Sequence, residues 1–179
     1  MKIRVFISIP VKDATVLQPL LKEVDSLSNV RASPISQMHI TMRFIGDVDD
    51  GKVKRIRKAV EDAVQGESPF DITIKGAGCF PNRKRPSVIW IGADPGDVLK
   101  RIADRIAANL KASNVSFDEK PFKSHITIGR CKGPADVDDF LDRHKDEEFH
   151  RFTCDSILVM RSELGPAAAK HTVLERIDL

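Results

Sequence analysis

The chain has 179 residues, of which 41% are hydrophobic and 31% charged, with a net charge of +3. That composition supports a packed core of roughly one domain and excludes a disordered chain. No apolar run approaches the ~20 residues that a bilayer-spanning helix requires.

Lys2 to Ile9 alternates as a strand, with Ile3, Val5, Ile7 and Ile9 on one face, and Pro10 closes it. Arg4 interrupts this apolar stretch, Lys12 and Asp13 follow it closely, and no small-residue cleavage site is present. A secretory leader is therefore not expected, and the cytoplasm is the expected compartment. Thr15 to Leu27 carries Val16, Leu17, Leu20, Leu21, Val24 and Leu27 at helical spacing. Met38 to Ile45 reads as a second strand, ended by Gly46 and Asp47. Asp50 is placed to cap a helix whose apolar stripe is Val53, Ile56, Val60 and Val64.

Phe70 to Lys75 and Ser87 to Ile91 read as strands separated by a loop, GAGCFPNRKRP. Pro95-Gly96-Asp97 opens a helix with Val98, Leu99, Ile102, Ile106 and Leu110 on one side. His125 to Arg130 is a strand, Val137 to His144 a short helix, and Phe149 to Val159 and Thr172 to Ile177 are closing strands. Helices alternate with hairpin-like strand pairs, which differs from the regular alternation of a doubly wound sheet. The expected fold class is α+β, with two similar lobes, each a mostly antiparallel sheet backed by helices. No linker divides residues 1–179, so a single bilobal domain is expected.

Cys79, Cys131 and Cys154 are odd in number and lack CxxC spacing, so free thiols are expected rather than a disulfide framework or a structural zinc site. The mild positive excess permits a phosphate-bearing ligand without requiring one.

The informative feature is an internal echo. His39-Ile40-Thr41-Met42 recurs as His125-Ile126-Thr127-Ile128, each on an expected strand and each followed by a glycine-containing break. On a strand, residues i and i+2 share a face. His39 and Thr41 therefore point together while Ile40 and Met42 face the core, and the second copy repeats this. If the lobes face each other, two imidazoles and two hydroxyls converge. One imidazole can remove a proton from an attacking oxygen while the other supplies one to a departing oxygen, since histidine titrates near neutrality. The threonine hydroxyls can hydrogen-bond non-bridging phosphate oxygens where charge develops. The competing readings are packing histidines and a binuclear metal site. The latter lacks carboxylates on the same strand faces, and no metal or cofactor is expected.

These paired HxTx segments resemble the 2H phosphoesterase superfamily. The sequence around them, HITMRFIG from His39 and SHITIGR from Ser124, resembles RNA 2′,3′-cyclic phosphodiesterases, also called 2′-5′ RNA ligases. RVFISIP, the Gly76-to-Pro81 segment and SVIWIG extend the likeness along nearly the whole chain. The resemblance implies two lobes about a central groove and hydrolysis of RNA 2′,3′-cyclic phosphate ends to 2′-phosphates, with possible reverse 2′-5′ joining. In it His39 is the general acid for the 3′ oxygen and His125 the general base for water. Two positions depart from the pattern: Ser124 stands where proline is common, and His171 where tyrosine is usual. The alternatives are another 2H activity, on small cyclic nucleotides or 2′-5′ oligonucleotides, and a non-catalytic RNA-end binder.

Alternation puts Arg43 on the His39 face, where its fork could hold phosphate. Arg130 would face away from His125 unless Gly129 marks a bulge that re-aims it, and it is a candidate RNA contact. Asn82-Arg-Lys-Arg85 is a basic loop that could grip an RNA backbone. Phe6, Phe44 and Phe122 are candidate stacking surfaces, and His144 and His150 lie in a segment that reads as exposed. The expected partner is RNA bearing a 2′,3′-cyclic phosphate, bound by a monomer away from any membrane.

Overall fold

The computed structural model describes residues 1–179. In it β1 (Lys2–Pro10) buries the alternating Ile3, Val5, Ile7 and Ile9, and Phe6 and Ser8 of the opposite face are covered as well. Burial on both faces marks an interior strand. β1 lies between β3 (His39–Asp49) and β8 (Ser156–Glu163), and β9 (Lys170–Asp178) completes a sheet of order β3-β1-β8-β9. The other sheet, of order β2-β6-β5-β4-β7, is built from β2 (Val30–Ala32), β4 (Phe70–Phe80), β5 (Val88–Asp94), β6 (His125–Cys131) and β7 (Glu148–Cys154). Every pairing is antiparallel.

Four helices cover the outer faces. α1 (Gln18–Asp25) packs on β2 and β6, and α4 (Asp138–His144) on β4. α2 (Val53–Ala63) packs on β8 and β9, and α3 (Gly96–Ala112) on α2 and β3. Their stripes have the spacing of one helical face: Ile56, Ala59, Val60 and Ala63 of α2, and Leu99, Ile102, Ala103, Ile106 and Leu110 of α3, are all buried. One hydrophobic cluster of 41 residues runs through both sheets. No helix is long and apolar enough to cross a membrane.

The sheets correspond strand for strand, β3-β1-β8-β9 matching β6-β5-β4-β7, with β2 as an added edge. The register agrees: His39 and Thr41 oppose Pro10 and Ser8, as His125 and Thr127 oppose Gly92 and Trp90. The α+β, two-lobed expectation therefore holds, and β3 and β6 approach each other where the lobes meet.

Several boundaries differ from the sequence reading. β4 does not stop at Lys75: Gly76 adopts φ +76 and forms an irregularity through which the strand continues to Phe80, so the loop shortens to the residues after it. A side chain at Gly76 would also meet the Lys145 carbonyl at 2.9 Å. The single strand expected from Phe149 to Val159 is two strands broken at Asp155, β7 in one sheet and β8 in the other. β2 was not anticipated, being only three residues long. Asp50 sits in a 3-10 turn, and α2 starts after Lys52 with no side-chain cap. His144 is buried rather than exposed, its Nε2 3.0 Å from Glu23. The three cysteines are free thiols.

Candidate active site

Both HxTx segments open their strands. Ile40, Met42, Ile126 and Ile128 are buried in the core, which leaves His39, Thr41, His125 and Thr127 half-buried on the opposite face. That face lines a groove of about 440 Å³ between the lobes, and all four side chains reach it.

Each strand then carries a β-bulge at the same place. On β3, Thr41 opposes Ser8 and Arg43 opposes Ile7, so Met42 is the extra residue. On β6, Thr127 opposes Trp90 and Gly129 opposes Ile89, so Ile128 is the extra residue. A bulge resets the alternation. Phe44 and Arg130 thereby return to the groove, while Arg43 and Gly129 turn inward. Arg130 thus lines the groove, and the bulge that re-aims it falls at Ile128 and not at Gly129.

Arg43 must be corrected. It does not line the groove with His39 and His125, but borders an adjoining cavity that also touches Thr41 and His125. It is 7% exposed, and its guanidinium donates to the carbonyls of Ala103 (3.1 Å) and Lys120 (3.0 Å) and pairs with Asp104 (3.1 Å). It ties β3 to α3 and to the segment leading into β6.

His39 packs at 5.1 Å from the Phe6 ring and 5.5 Å from the His171 ring. Burial, helped by the charge His171 carries when protonated and by that of His125, pushes His39 down to about 4, against the opposing pull of the Gln37 carbonyl. His125 stands edge-on to Phe80 at 5.2 Å, with Trp90 behind at 6.4 Å. Its Nδ1–H donates to the Lys123 carbonyl at 2.7 Å. A carbonyl only accepts, so this bond fixes the neutral tautomer and leaves Nε2 as the free base. Burial lowers His125 as well, and the Lys123 carbonyl opposes the shift. Ser124 anchors the entry to β6, its hydroxyl donating to the Ala93 carbonyl at 2.5 Å.

Sequence reasoning missed Arg31, Gln37 and the Ala167–Ala169 loop, all of which line the groove. The loop reaches across the lobes: Arg31 Nη2 donates to the Ala167 carbonyl at 3.0 Å and Gln37 Nε2 to Ala169 at 2.9 Å. No motif marks these residues. A second cavity of about 500 Å³ shares Thr41, Phe44 and His125 with the groove and adds Phe80, Phe122 and Lys123. Phe6 and Phe44 border the groove, and Phe122 the second cavity. Of the basic loop, Arg83 is taken up by Asp138 and Asp142 of α4. No group of three His, Cys, Asp or Glu side chains is gathered in a way that could hold a metal ion.

Residues 16–166 match the family profile described as the 2′-5′ RNA ligase superfamily. The chain belongs to that superfamily. Members similar to it include an RNA 2′,3′-cyclic phosphodiesterase of Methanothermobacter thermautotrophicus, 29% identical over 98% of both chains. One of Archaeoglobus fulgidus is 32% identical over 91% of this chain and 93% of its own. Among solved structures, TT0787 of Thermus thermophilus covers 98% of this chain and 97% of its own, with a TM-score of 0.82 at 26% identity. Escherichia coli LigT complexed with NADP+ covers 100% and 99%, with a TM-score of 0.79 at 18% identity, a likeness of fold.

Proposed function

We propose that this protein hydrolyses 2′,3′-cyclic phosphate ends of RNA to 2′-phosphates, with paired histidines moving the protons. The observation that carries the reading is the convergence of His39, Thr41, His125 and Thr127 on one interlobe groove. The names of the relatives agree with it.

In this mechanism the free Nε2 of His125 takes a proton from water as its oxygen attacks phosphorus. His39, as imidazolium, protonates the departing 3′ oxygen in line with the attack. Thr41 and Thr127 donate to the non-bridging oxygens as charge gathers there. His39 is the more strongly depressed imidazole, and so the stronger acid once protonated. His125 is the better base. The incoming phosphate supplies the negative charge that allows His39 to hold its proton. No metal enters these steps. Reversal, with a 5′-hydroxyl in place of water, would form a 2′-5′ link. Arg130 contacts the RNA. The working unit is the whole of residues 1–179, acting as a monomer, since one chain supplies both imidazoles.

The test is incubation with an oligonucleotide ending in a 2′,3′-cyclic phosphate, with and without EDTA, followed by identification of the terminal phosphate. The expected product is the 2′-phosphate in equal amount in both. A 3′-phosphate, or turnover only with an added divalent ion, overturns the reading.

A further inference from the structure

Arg31 on β2 and Arg130 on β6 are direct cross-strand partners. Like charges placed opposite each other on a ladder repel. Both side chains line the groove that holds the histidines. Neither is within ion-pair distance of any carboxylate, whereas Arg57, Arg83, Arg101 and Arg143 each are. Arg31 is held by one donated bond to the Ala167 carbonyl, which leaves most of its fork open. β2 pairs with β6 at Gly129, Arg130 and Cys131, which sets Arg31 directly beside Arg130. The bulge at Ile128 turns Arg130 toward the groove.

We propose that Arg31 and Arg130 form a second anion site, which holds the phosphodiester on the 5′ side of the terminal nucleoside. The proposal rests on the cyclic-phosphate reading above and adds to it a requirement for a chain longer than one nucleotide. Two guanidinium forks suit the two non-bridging oxygens of one diester, and the bound anion removes the repulsion between them. Arg130 lies three residues past Thr127, roughly 10 Å or less along the strand. That separation places the pair beside the reacting phosphate but clear of it. In hydrolysis water occupies the far side of the reacting phosphorus, so the nearest other phosphate the substrate offers is the 5′ one. Preference for an oligonucleotide end over a free cyclic nucleotide then comes from this pair.

The experiment compares kcat/KM for three substrates: a nucleoside 2′,3′-cyclic phosphate, a dinucleotide ending in the same group, and that dinucleotide with a neutral methylphosphonate linkage. Wild type is expected to favour the charged dinucleotide by about ten-fold or more over both others, as for one charge-assisted hydrogen-bonded contact. In Arg31→Ala this ratio should fall to near one, and Arg31→Lys should restore only part of it. Thermal melts establish that each variant is folded. Equal turnover of all three substrates by wild type, or a ratio unchanged in folded Arg31→Ala, overturns the second anion site alone. Absence of turnover on every substrate overturns the cyclic-phosphate reading, and the second site with it.

Discussion

His39 resists protonation more strongly than His125, and this difference has consequences that can be measured. With His39 near 4 and His125 also lowered, both imidazoles are neutral at pH 7 in the empty groove. Plots of kcat/KM against pH report the free protein. The expected curve is a bell with its acid limb near pH 4 and its alkaline limb below pH 6.5, both belonging to the pair as a coupled unit. An optimum above pH 7 on a cyclic nucleotide would contradict the arrangement. The same depression links to stability. Unfolded His39 binds a proton below about 6.5 and the folded form does so only near 4. Stability contributed above pH 6.5 is therefore lost as pH falls from 6.5 to 4, and His39→Ala should flatten that part of a Tm-against-pH curve. Replacing either histidine by alanine should lower kcat by about 10²–10⁴, while Thr41→Ala or Thr127→Ala should cost about 10². Single-turnover assays with a cyclic-phosphate oligonucleotide would measure both.

At the scale of elements, the bulges decide which side chains face the groove. Arg43 shows how. Strict alternation aims it at phosphate, yet the extra residue at Met42 rotates it into hydrogen bonds beneath the sheet. Arg43→Ala should therefore lower unfolding free energy by about 2–3 kcal/mol, with KM changed by no more than a few-fold. A KM raised a hundred-fold in a protein of unaltered stability would restore it as a substrate ligand. Support for His125 can be tested at Gly78, where an added Cβ would lie 2.2 Å from the Trp90 ring. The indole must move, and Phe80 and His125 lean on it. Gly78→Ala should cost about 1–3 kcal/mol and lower kcat more than it raises KM. Trp90 is the only tryptophan, so its fluorescence follows unfolding directly.

These particulars explain what the sequence could reveal. The HxTx pairs were legible because alternation holds from His39 to Thr41 and from His125 to Thr127, upstream of each bulge. Phase changes at Met42 and Ile128 left no mark, because the extra residues are ordinary apolar side chains. The break at Asp155 was hidden because strand-forming residues stand on both sides of it. Arg31 was invisible because its three-residue strand is too short to show periodicity.

On the scale of the whole molecule, net charge is small, so attraction of RNA depends on where the positive groups stand. Arg31 and Arg130 face the groove without acidic partners, while Arg83, Arg101, Arg105 and Arg143 are neutralised on the surface. Few phosphates are engaged as a result. For two, log kcat/KM on an oligonucleotide should fall against log salt concentration with a slope of roughly −1.4, the single-strand value for two released counterions. A slope steeper than about −3 would mean that a wider surface takes part, the basic loop at Lys84 and Arg85 being the nearest source.

The strand order has a further consequence during synthesis. Every strand of the five-stranded sheet lies between Val30 and Cys154, whereas β1 waits for β8 and β9, which follow all of these. All the strands of one half are therefore made before β8 and β9 of the other. The other holds an open hairpin edge until β8 has followed, and His171 on β9 joins the groove after both HxTx segments.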